Sequence, residues 1–76
     1  MEAMRANPKG DWTIDDVRVV CTGHGVDLLP PNGGSHYKVA HSSQRDILTV
    51  PRDRPIKPPY IRRFVEFIDA VKDSQP

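Results

Sequence analysis

The chain has 76 residues, a formal net charge of +1, 37% hydrophobic and 28% charged positions, which allows one small domain and excludes an enzyme built from separate cofactor and substrate halves. A chain of this size buries only about 60% of the surface its unfolded form exposes, so the core is small and a partner that binds the folded form adds to its stability. Eight prolines and five glycines fit a loop-rich globular protein and not a low-complexity or disordered one.

Residues 1–12 form an N-terminal extension to which the sequence assigns no role, and residues 13–73 form a single domain. The first predicted helix runs from Thr13 to His24. Thr13 can cap it, Asp15 and Asp16 favour the positive end of the helix dipole, and Gly25 suits a left-handed C-terminal cap. Ile14, Val17, Val20 and Cys21 keep helical spacing. Val26–Leu29 is a short apolar run stopped by Pro30-Pro31, with Asn32-Gly33-Gly34 supplying a hairpin-type connection. In Ser35–His41, Tyr37 and Val39 share one face while His36 and Lys38 share the other, the alternation of a half-buried strand. After a turn at Ser42–Arg45, Ile47–Val50 makes a third strand ended by Pro51. Arg52–Pro59 is a proline-stiffened loop, and a last helix of about Pro59–Val71 carries the apolar stripe Ile61, Phe64, Val65, Ile68 and Val71. This order implies an α+β fold: a three-stranded antiparallel sheet with both helices on one face and the other face open.

The charge is unevenly spread. Met1–Asp27 carries five acids and three bases, Leu28–Arg63 seven bases and two acids, and the remainder three acids and one base. A basic middle is the footprint of an anion-binding face. The open sheet face holds His36 and Lys38 beside the basic loop. Histidine exchanges a proton near neutral pH, and lysine and arginine stabilise charge on a phosphate, so the set suits phosphodiester chemistry. A lone surface histidine is more often an ordinary polar residue than a catalyst, and exposed lysines usually serve solubility.

Gly33-Gly34-Ser35-His36-Tyr37-Lys38-Val39, followed by Ile47–Pro51 and by Pro58–Val65, resembles the HicA family of toxins from bacterial toxin-antitoxin systems. The resemblance spans roughly Thr13–Val71. It implies a double-stranded-RNA-binding-like α-β-β-β-α fold and a messenger-RNA endonuclease that needs no metal or cofactor. It further implies that His36 is the catalytic residue, set at the strand start by Gly34 and Ser35, and that Gly34, Ser35, Lys38, Arg52, Arg54, Lys57 and Arg62 contact RNA. The implied partners are the mRNA substrate and a cognate HicB-type antitoxin, which would shield the open face of a monomeric toxin within a hetero-oligomeric complex. Tyr37 and Arg52-Asp53-Arg54 stand where many members of the family carry further histidines.

Other readings of the same residues stay in view. Cys21 and His24 have no second pair of ligands to complete a metal site, and His36 and His41 fall on opposite faces of a strand. Tyr37 and Phe64 have core phases and are not stacking platforms. A non-catalytic RNA-binding module, or an interaction protein whose basic loop docks an acidic partner, would use the same layout. Cys21 is the sole cysteine, no run approaches the roughly 18 apolar residues of a membrane span, and the first ten residues contain no apolar signal stretch. The expectation is a cytoplasmic protein.

Overall fold

The computed structural model describes residues 1–74. Its elements run α1 Glu2–Ala6, α2 Ile14–His24, β1 Asp27–Leu29, β2 His36–Ala40, β3 Leu48–Pro51 and α3 Pro58–Asp73. From α2 onward this is the expected α-β-β-β-α order. No helix among the described residues is long and apolar enough to cross a membrane.

Local chemistry sets the helix ends. The Thr13 hydroxyl accepts from the Asp16 N–H at 3.5 Å, and the Thr13 N–H donates to the Asp16 carboxylate at 2.8 Å, closing a capping box. Gly25, at φ 66° and ψ 28°, ends α2 in the left-handed region, where its N–H reaches the Cys21 and Thr22 carbonyls. Helix α3 begins on Pro58-Pro59, whose missing N–H groups cost nothing in a first turn.

The strands form one antiparallel sheet in the order β1-β2-β3. Leu28, Val39 and Leu48 are directly opposite one another across it, as are Tyr37 and Val50, and these side chains turn toward α2 and α3. Val17, Val39, Val50, Ile61, Phe64, Ile68 and Val71 are fully buried between the two layers. Leu29, Lys38 and Thr49 make the corresponding row on the opposite face, with His36 across from Pro51. Pro51 is the last residue of β3, an edge strand, where a residue without an N–H is tolerated.

Residues 1–12 belong to this same core. Helix α1 has five residues, too few to persist alone. Met4 anchors it, only 2% exposed within the apolar cluster. Arg5 donates two hydrogen bonds of 2.7 Å to the carboxylate of Asp69 on α3 and holds that carboxyl below its usual range. Trp12 Nε1 donates to the Asn7 carbonyl at 2.7 Å, and the Trp12 carbonyl accepts from the Ile56 N–H at 2.8 Å.

Cys21 is buried on the inner face of α2, and burial, reinforced by the charge of Asp27, pushes its thiol up to about 11. A folded-state value above the ordinary one of 9.0 means that the native state holds the proton more tightly. The resulting stability is complete below pH 9 and is lost as pH rises toward 11. We expect iodoacetamide to modify Cys21 at pH 8 only at the rate of unfolding, and the urea midpoint to fall between pH 9 and 11; rapid labelling in native buffer would contradict the burial.

Candidate active site

Strand β2 places the histidine. Its inward residues Tyr37 and Val39 fix the phase of the pleat, so His36 and Lys38 are directed outward on the helix-free face, and both are exposed. The turn before it depends on Gly33, whose φ of 89° lies in the left-handed region that a side chain would strain. Gly34 has open space around it and an unremarkable φ, so the backbone requirement falls on Gly33, one residue ahead of the pair expected to set the histidine. Ser35 is exposed, and its carbonyl accepts from the Arg52 N–H at 2.8 Å, which joins the start of the basic loop to the residue before His36.

Gly34, His36 and Lys38 line a shallow concavity of about 460 Å³ together with Asn32 and Gly33. Among the described residues no carboxylate lines it. Among the described residues the His36 ring makes no hydrogen bond, which leaves both nitrogens open to a ligand. The other histidines are engaged. His24 Nδ1 lies 2.8 Å from the Val20 carbonyl and so carries the proton there, while His41 Nδ1 accepts from the Ser43 N–H at 3.1 Å. At about 3.3 Å per residue, His41, the residue after β2, is roughly 16 Å from His36. The two cannot act on one phosphate. Among the described residues no group of three or more His, Cys, Asp or Glu is placed to hold a metal ion.

The remaining residues expected at an RNA surface divide between places. Arg52 is exposed at the end of β3 beside Ser35, whereas Arg54 and Lys57 line a second cleft of about 580 Å³ with Lys9. Arg62 lies elsewhere, in a concavity on the helical side with Met4, Arg5 and Asp69. The structure therefore groups Gly34, His36 and Lys38, ties the Arg52 backbone to Ser35 beside them, and separates Arg54 and Lys57 in the second cleft and Arg62 on the helical side. Thr49, exposed and opposite Lys38, and Leu29, 45% exposed on its other side, complete the face. Strand alternation carried the signal for both. No family model, curated protein or solved structure matches this chain.

Proposed function

We propose that the protein is an endoribonuclease of the HicA toxin type, acting in the cytoplasm through His36 without a metal or cofactor. One observation carries the reading: an exposed histidine, unpaired among the described residues, shares a concavity with a lysine on the helix-free face of an α-β-β-β-α domain. A His36 ring nitrogen takes the proton of a ribose 2′-hydroxyl, and the 2′-oxygen attacks the adjacent phosphorus. The P–O2′ bond forms as the P–O5′ bond breaks. The leaving 5′-oxygen takes a proton from the water that bathes this open face. Lys38 and Arg52 offset the charge that grows on the phosphoryl oxygens. The products are a 2′,3′-cyclic phosphate and a free 5′-hydroxyl.

The partner in this reading is a HicB-type antitoxin lying over the open face. Leu29, 45% exposed and lining the same concavity as His36 and Lys38, offers apolar contact there next to the basic groups, the mixture that a protein inhibitor of an RNA site can use. The test is single-stranded RNA incubated with the purified protein in excess chelator, with the termini of the fragments identified. Cyclic-phosphate ends support the proposal. Binding without cleavage would replace it with a non-catalytic RNA-binding module, and neither binding nor cleavage would leave an interaction protein.

A further inference from the structure

We infer that the N-terminal segment completes a second phosphate-binding site for the same RNA strand, a cleft in which Lys9 works with Arg54 and Lys57. The inference rests on the ribonuclease reading and extends it to residues outside the HicA-like region.

The cleft has two walls from distant parts of the chain. Lys9 and Gly10 form one, and the loop from Asp53 to Pro58 forms the other, enclosing about 580 Å³ against about 460 Å³ at His36. Ile56, 1% exposed, roots the loop in the core, and its N–H donates to the Trp12 carbonyl at 2.8 Å, fixing the walls to each other. Gly10 packs the first wall tightly against its own segment. A Cβ there would lie 3.0 Å from Trp12 Nε1 and 3.3 Å from Asn7 Nδ2.

The charges point to an anion. Three cations and one carboxylate, Asp53, line the cleft, and among the described residues none of Lys9, Arg54 and Lys57 forms an ion pair. Their mutual repulsion is relieved by a polyanion, most effectively at low salt. Helix α3 adds no backbone donors of its own, because its first two residues are prolines. The side-chain charges of Lys9, Arg54 and Lys57 then carry recognition, which reads a phosphate backbone and no base sequence. The same loop starts at the Arg52–Ser35 hydrogen bond beside His36, and two residues of extended chain span at most about 7 Å from Arg52 to Arg54. A strand of a few nucleotides therefore reaches from the His36 concavity into the cleft, within the size of single-stranded sites in other small domains. That continuity favours RNA over an acidic polypeptide.

The experiment uses the full chain with His36→Ala, which blocks turnover, and follows fluorescence anisotropy of labelled 12-nucleotide RNAs of two sequences across a salt series. Adding Lys9→Gln is expected to weaken binding to both RNAs equally and to lower the slope of log K against log salt by about 0.7, the loss of one phosphate contact on a single strand. Lys9→Arg should restore the slope, and Lys72→Gln, at the far end of α3, should leave it unchanged. If Lys9→Gln binds as tightly as its parent while Lys38→Gln weakens, the cleft is not used and the ribonuclease reading stands. If Lys9→Gln instead weakens binding of poly-glutamate and leaves RNA unchanged, an acidic polypeptide is the occupant and the inference is overturned. If the parent binds no RNA at any salt, both readings fail together.

Discussion

Replacing His36 with alanine is expected to slow RNA cleavage by about 100- to 10,000-fold, the usual contribution of one positioned proton-transfer group. The loss should appear in kcat and kcat/KM alike, because the proton moves in the transition state and the imidazole adds little to the binding of a polyanion. Its side chain is exposed and unbonded among the described residues, so truncation opens no cavity and strands no polar group, and stability should stay within about 0.5 kcal/mol of wild type. Lys38→Ala removes a phosphate contact and part of the charge offset, so it should raise KM, lower kcat by less than His36→Ala does and reduce the salt dependence while His36 still exchanges its proton. Equal cleavage by wild type and a folded His36→Ala protein would remove the histidine from the chemistry.

Those two side chains were legible because a strand converts odd and even positions into two faces. Tyr37 and Val39 had to turn inward, and the outward set followed without knowledge of what lay across the sheet. Helix α2 was legible for a similar reason: Thr13, Asp16 and Gly25 act on backbone groups within a few residues of themselves. The turn before His36 was read less sharply, since three consecutive residues tolerate unusual conformations and only coordinates separate Gly33, at φ 89°, from Gly34. Arg62 had the right charge and an exposed position, yet the helix turns it toward α1. The loop contributes Arg54 and Lys57 to a cleft whose other wall comes from Lys9, and no local pattern couples positions more than forty residues apart. Helix α1 was illegible altogether. It carries one fully buried residue and meets α3 through an ion pair between positions 64 residues apart, so neither periodicity nor capping announces it.

That helix carries the last of the expected results. Met4→Ala should destabilise the protein by about 2–5 kcal/mol, the range for deleting a buried methionine when the site cannot collapse around the space. Met4 is 2% exposed and borders two grooves, one shared with Trp12 and Val20 and the other with Val65 and Asp69. It thus wedges α1 against both long helices. A domain of this length has a stability of only about 4–11 kcal/mol, so the loss is a large share of the total. Little remains to keep α1 in place, because five helical residues do not persist alone and an exposed ion pair to Asp69 adds little. Glu2→Ala, on the outer side of the same helix, provides the control and should leave the urea midpoint nearly unchanged. A Met4→Ala protein with the wild-type midpoint would mean that α1 is undocked in solution. Loss of α1 packing also removes one of the two supports of Lys9, the other being the Trp12–Ile56 hydrogen bond, and loosens its place opposite Arg54 and Lys57. Combined with His36→Ala, Met4→Ala should therefore lower the salt dependence of RNA binding toward the Lys9→Gln value at urea concentrations where the domain is still folded. A stability defect and a binding defect would then trace to the same buried side chain.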